Sequence, residues 1–219
     1  MARLLFEKRG NAVWISHLDL MRLFQRAFKR AGLNLKHTQG YNPRPSVSIA
    51  LPLSVGVESG CELLDFELEG ESTTCEEILE RLNRALVAGV RVLSVYGEGR
   101  KIRDLSLLRC RVSLEYDGGV TEEILDAIRA LFRRESLTVE KKGKNGPTQQ
   151  DLIPMIRSME ISLEGGNTLV MEAVVCCQNP SLNPMLLASA VESYLPGQAP
   201  DHTRCERMEI YDVNESVFR

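Results

Sequence analysis

The chain has 219 residues, room for one large domain or two small ones. Hydrophobic residues make up 43% and charged residues 26%, an ordinary globular balance, and no stretch approaches the length of a membrane-spanning helix. With a net charge of -3 and an isoelectric point near 5.8, the molecule as a whole is not a basic nucleic-acid binder by composition.

Residues 3–8 read as a first strand, closed by the turn signal Arg9-Gly10-Asn11. Ser16 is a helix N-cap with Asp19 three residues on, a capping box in which Asp replaces Glu. On the helix that follows, Leu20, Phe24, Ala27, Phe28 and Ala31 form one apolar face. Arg22, Arg26, Lys29 and Arg30 repeat on another face, and Gly32 stands where a C′ residue ends the helix. Pro43 and Pro45 exclude helix from the next stretch. Residues 46–51 alternate as a second strand, and residues 62–69 as a third after a connection holding Gly56 and Gly60. Thr73 and Glu76 form a capping box for a second helix, ended by Gly89, and residues 90–96 are a fourth strand. The order is β-α-β-β-α-β, the ferredoxin-like unit.

The second half is read as the same order with one strand more. Residues 107–116 are a strand, and Thr121 caps a helix with Glu122 and Glu123 in its first turn, where the helix dipole favours acids. Residues 137–142 read as a strand and 143–147 as a loop, with a small basic cluster at Lys141, Lys142 and Lys144, and the chain stays polar to Asp151. Strands at 155–163 and 168–177 flank the hairpin turn Glu164-Gly165-Gly166-Asn167. Asn183 and Pro184 open a helix to Tyr194, and residues 208–211 close as a strand. The expected fold is α+β: two tandem ferredoxin-like units with antiparallel sheets, residues 1–99 and 100–219.

Charge is distributed unevenly along this framework. Residues 1–45 hold nine Lys and Arg against Glu7 and Asp19, whereas residues 46–90 hold nine acids against Arg81 and Arg84. A dipolar half of this kind marks either a polyanion-binding face or two segments that neutralise each other in the fold. On the first reading, Arg22, Arg26, Lys29 and Arg30 grip phosphates, and Lys36, His37 and Arg44 extend them into one patch. Tyr41 then stacks on an unpaired base, as single-stranded RNA readers do. On the second, this is a solvated helix face beside a structural tyrosine.

No catalytic residue is assigned. His17 is the one candidate for a general acid or base, but residues two apart on a helix do not face each other, so His17 and Asp19 are not a dyad. Glu58, Asp65 and Asp151 are candidates for contact with a protein partner. The six cysteines contain no C-x-x-C pair, and no Cys/His cluster has zinc-ligand spacing, so neither metal nor cofactor is expected. The opening MARLLFEKRG lacks a secretory apolar run, which gives the expectation of a cytoplasmic protein with free thiols.

Several motifs carry a family resemblance. They are Phe6-Glu7-Lys8, Ser16-His17-Leu18-Asp19-Leu20-Met21-Arg22, Arg26-Ala27, Gly40-Tyr41-Asn42-Pro43-Arg44-Pro45, and Ala50-Leu51-Pro52-Leu53-Ser54-Val55-Gly56. At these the chain resembles a bacterial family of unknown function, the radical-SAM-linked protein. Gln150-Asp151-Leu152-Ile153 is similar to a short motif of that family around an aspartate. The resemblance implies a gene placed beside, or fused to the C-terminus of, a cobalamin-type radical SAM protein. The neighbourhood it implies includes a ribonuclease of the E/G type and a ribosomal large-subunit protein. The function it implies is that of a non-catalytic accessory protein of the radical SAM enzyme, with RNA or a ribosomal particle as a second partner. Two alternatives stand beside it: an endoribonuclease-like enzyme using His17, by loose analogy of fold with CRISPR-RNA-processing enzymes, and an adaptor whose acidic stretch 58–80 docks the radical SAM enzyme.

Overall fold

The computed structural model describes residues 1–70, 73–143 and 146–219. Lys144 of the expected basic loop lies outside them. The fold mixes α-helices with antiparallel sheet, and it divides into two compact units. The first is Met1–Asp104 with Phe218–Arg219, and the second is Leu105–Val217.

In the first unit, strand β1 (Ala2–Lys8) lies between β3 (Val57–Phe66) and β4 (Val90–Tyr96), and β2 (Val47–Ala50) pairs with β3. The order is β4-β1-β3-β2 with every pair antiparallel. Helices α1 (His17–Arg30) and α2 (Cys75–Ala85) supply the apolar side chains that cover this sheet. Alternation along β1 sends Leu4 and Phe6 into that core, where they join Phe24 and Phe28 of α1 and Leu82 of α2. Phe6 meets Phe24 edge to face with centroids 4.7 Å apart, and Phe28 packs on Phe66 at 5.1 Å.

Helix α1 is closed at both ends by local chemistry. The Ser16 hydroxyl accepts the Asp19 N–H, satisfying one orphan donor of the first turn. At the far end, Gly32 takes φ +66, its N–H bonds to Lys29 and the Leu33 N–H to Phe28, a Schellman closure. The capping box of α2 falls on Thr74 and Glu77, one residue beyond the expected Thr73 and Glu76. The two helices also cap each other. Arg81 donates to the Ala31 and Gly32 carbonyls, and Arg30 donates to the Ala85 carbonyl at 2.6 Å.

In the second unit, β5 (Leu105–Glu115) lies between β9 (Thr168–Cys176) and β10 (His202–Asp212), and β8 (Ile156–Glu164) pairs with β9. The order β10-β5-β9-β8 is again antiparallel throughout. Helices α3 (Glu122–Phe132) and α4 (Met185–Tyr194) contribute the buried Leu125, Ile128, Leu131, Leu187 and Val191.

One expectation changes here. The expectation is a strand at residues 137–142, a loop at 143–147 and a polar chain to Asp151. Instead β6 (Thr138–Gly143) and β7 (Gly146–Asp151) form a separate hairpin paired only with itself among the described residues, and β8 takes the sheet position. Residues Thr148, Gln149 and Gln150 carry no apolar alternation, so nothing in the composition announces β7. The last strand is also longer than residues 208–211, because Cys205 and Arg207 alternate inward from a stretch that looks charged throughout.

Candidate nucleic-acid interface

The basic residues of α1 separate into distinct states. All four are exposed. Arg22 is ion-paired to Asp19 at 2.9 Å, and Arg30 holds the end of α2. The Ser16 hydroxyl and then the Arg22 guanidinium hold the Asp19 carboxyl below the usual range. Arg26 and Lys29 make no side-chain hydrogen bond or ion pair among the described residues. A cation without an acid partner keeps its full field for an incoming anion.

Beyond Leu33 the chain runs out as a narrow two-sided arm. Leu35 bridges Leu68 and His37 bridges Pro45. Thr38 N–H bonds to the Arg44 carbonyl at 2.8 Å, and Arg44 N–H to the Thr38 hydroxyl at 3.0 Å. This fixes the turn that presents Tyr41, which is 100% exposed. Lys36 pairs with Glu67 at 3.1 Å, and His37 Nδ1 lies 4.0 Å from Glu69. Arg44, like Arg26 and Lys29, has no acid partner among the described residues. The expected single patch is therefore interrupted: Lys36 and His37 face acids of the neighbouring segment.

The remaining expected residues have internal roles. His17 sits half-buried in the first turn of α1. Glu58 accepts the Gly10 N–H at 3.1 Å and stands 3.6 Å from Arg9. Asp65 takes both arms of the buried Arg3 fork, at 2.6 and 3.0 Å. Asp151 accepts the N–H groups of Leu137 and Ile153, tying down the base of the β6–β7 hairpin. Those donors, Leu137 first, hold its carboxyl below the usual range.

Trp14 and Leu18 were not anticipated. They are 71% and 66% exposed. Leu18 falls two residues from Leu20 and so stands off the apolar face of α1, a signal readable from the helical period.

Elsewhere, chemistry is sparse. Burial pushes the thiols of Cys110, Cys177 and Cys205 up to about 12, which leaves them protonated and inert at neutral pH. No three His, Cys, Asp or Glu side chains converge as a metal site among the described residues. An open depression of about 490 Å³ in the second unit includes Arg109, Glu160, Glu172, Tyr211 and Glu215. Its Arg109 is already bound to Glu172 at 2.5 Å, so it offers no free cation to a phosphate. No helix among the described residues is long and apolar enough to cross a membrane.

Fold and surface together define a protein of two α+β units whose first unit displays both unpaired cations and exposed aromatic rings. Residues 2–184 match the DUF2344 family, described as an uncharacterized protein conserved in bacteria, and the chain belongs to that family. Comparison with curated proteins returns no match. Among solved structures, a chain of a Cbf5-Nop10-Gar1 complex is similar over 95% of this chain, with TM-score 0.54 and 10% identity. A chain of the archaeal box H/ACA sRNP Nop10-Cbf5 complex matches over 94%, with TM-score 0.47 and 11% identity. An unknown protein from Galdieria sulphuraria matches over 94% of this chain and 96% of its own, with TM-score 0.27 and 15% identity. The chain spans about half the length of the first two, 48% and 46%.

Proposed function

We propose that this chain is a non-catalytic, RNA-binding accessory module whose first unit grips the polyanion through Arg26, Lys29 and Arg44, with Tyr41 stacking on an unpaired base. One observation carries the reading. The acids of residues 46–90 engage Arg3, Arg9 and Lys36, while these three exposed cations have no acid partner among the described residues. Arg22, Arg30, Lys36 and His37 complete the proposed surface with part of their charge already engaged. Glu58, Asp65 and Asp151 are proposed partner contacts only through whatever edge their internal bonds leave open.

The motif resemblance supports placing the module beside a cobalamin-type radical SAM enzyme in the cytoplasm, presenting RNA or a ribonucleoprotein to it. We read the two units as tandem ferredoxin-like units, residues 1–99 and 100–219, because both run in the same strand order, with the β6–β7 hairpin as an insertion. The compact units differ from that division only in holding Arg100–Asp104 and Phe218–Arg219 with the first. The likeness to the Cbf5-Nop10-Gar1 chain supports fold and, at 10% identity, adds nothing on function.

The test is the salt dependence of single-stranded RNA binding, followed by anisotropy of labelled RNA. Arg26→Ala with Lys29→Ala should weaken binding and flatten the log–log salt slope by about 1.4, two phosphates at about 0.7 each. No binding at low salt overturns the proposal.

A further inference from the structure

Trp14 is the chain's single tryptophan, and it is 71% exposed at the end of the 3₁₀ turn Gly10–Trp14. An exposed indole on a mobile loop carries little information, but this one stands on a built pedestal. The Val13 carbonyl accepts two hydrogen bonds, from the buried Lys8 Nζ at 3.0 Å and from the Gly56 N–H at 2.9 Å. From the other side, Arg9 N–H bonds to the Gly89 carbonyl at 2.8 Å. Gly89 takes φ +85, and a Cβ there would come within 2.5 Å of the Arg9 carbonyl and 2.9 Å of the Ala12 Cβ, so the turn is packed against bare backbone. The indole rests on Gly56, where a Cβ would lie 3.6 Å from its Cζ3. Val55, next to Gly56, is also exposed.

Along the chain, α1 begins three residues after Trp14 and carries an exposed cationic side. Leu18, Arg22, Arg26 and Lys29 stand at i, i+4, i+8 and i+11, one stripe of the helix, and all are exposed. Successive members are about 4.5–6 Å apart along the axis at 1.5 Å per residue. A protein groove would leave Arg26 and Lys29 facing a partner of unknown charge. An unpaired strand of nucleic acid supplies both halves of the complement, base faces for Trp14 and phosphates for the cations.

Resting on the RNA-binding reading above, we infer that Trp14 is a base-stacking platform, so that the ligand of the α1 stripe is single-stranded and its bases are splayed onto the indole. A duplex keeps its bases stacked internally and cannot meet this ring.

The same tryptophan reports the contact. A 5′-labelled single-stranded oligouridine and an RNA duplex of equal length are titrated into the full chain, with anisotropy of the label and tryptophan emission read in parallel. Emission should quench with the single strand at the same midpoint as anisotropy. Trp14→Leu should weaken single-strand binding about tenfold with the salt slope unchanged, and Trp14→Phe should recover part of the loss. Circular dichroism of both variants should match the parent, since the ring is mostly in water. Anisotropy binding without quenching, or with Trp14→Leu binding as the parent does, overturns this inference and leaves the RNA reading standing. Equal quenching by duplex overturns it too. No binding of either RNA overturns both. A blue shift that grows with protein concentration alone assigns the patch to a second copy of the chain and overturns it.

Discussion

The Nζ of Lys8 donates to the Val13 carbonyl at 3.0 Å from a side chain that is 1% exposed. Burial pushes the lysine pKa down from 10.5, and the Glu62 carboxylate, also buried, opposes that shift. The fold keeps a costly cation because it holds the turn under Trp14. Lys8→Met removes that donor and takes the ammonium away from Glu62. Losing a buried hydrogen bond from a charged donor costs about 1.5–3 kcal/mol, and a loss of about 2 kcal/mol in urea unfolding is expected. The parent should also gain stability as pH rises between the lowered value and 10.5, because the unfolded chain then holds more protons at this site. That slope should vanish in Lys8→Met.

Arg3 and Asp65 make a second buried contact, on directly opposed positions of β1 and β3. The Arg3 guanidinium packs over the Phe218 ring at 5.6 Å, and a Cβ on Gly99 would lie 2.4 Å from its Cζ. Only a planar fork fits this slot and meets both carboxylate oxygens. Asp65→Asn should cost about 3 kcal/mol by leaving the guanidinium buried without its counter-charge. Arg3→Met with Asp65→Leu should cost far less than the sum of its single variants. Additive losses in a double-mutant cycle of urea midpoints would show that the pair is not coupled.

The Asp151 carboxylate bonds the backbone of Leu137 and Ile153. Its pKa is lowered from 3.8 by those donors. Between the lowered value and 3.8 the unfolded chain binds the proton and the folded chain does not. This contribution is therefore complete above the unfolded value and is lost as pH falls through the folded one. Asp151→Asn should remove that acid-side slope. Amide exchange of the β6–β7 hairpin should quicken in the variant while β5 and β9 stay protected; uniform quickening would mean that the hairpin is not a separate element.

Much of the first unit is legible in the sequence because its signals are short-range and agree with one another. Ser16, the apolar period of α1 and Gly32 each point to the same helix. What escaped has physical causes. Strand β3 begins at Val57, five residues before its expected start, because Gly60 sits where β1 and β3 change register. Strand β7 is held by pairing with β6 and by the polar side chains of Gln150 and Asp151, without an apolar face. Trp14 carries no local signal of its exposure, because it is the distant Gly56 beneath the indole that leaves the ring in solvent. Pairing of Lys36 with Glu67 joins residues far apart in sequence, so no local pattern announces which cations remain free.

That last pair gives a prediction that runs against the usual effect of mutation. Glu67 holds Lys36 at 3.1 Å with both side chains partly exposed, so the pair contributes little to stability. Glu67→Gln keeps the size and polarity of the side chain but releases the lysine. Stability should change by under about 1 kcal/mol. Binding to single-stranded RNA should tighten, and the log–log salt slope should steepen by about 0.7, the signature of one further phosphate contact. Lys36→Ala in the Glu67→Gln background should abolish the gain. If Glu67→Gln tightens binding without steepening the slope, the effect is a general loss of repulsion and Lys36 lies outside the phosphate track. If it changes neither, the arm carrying Lys36 and Arg44 is separate from the surface of α1.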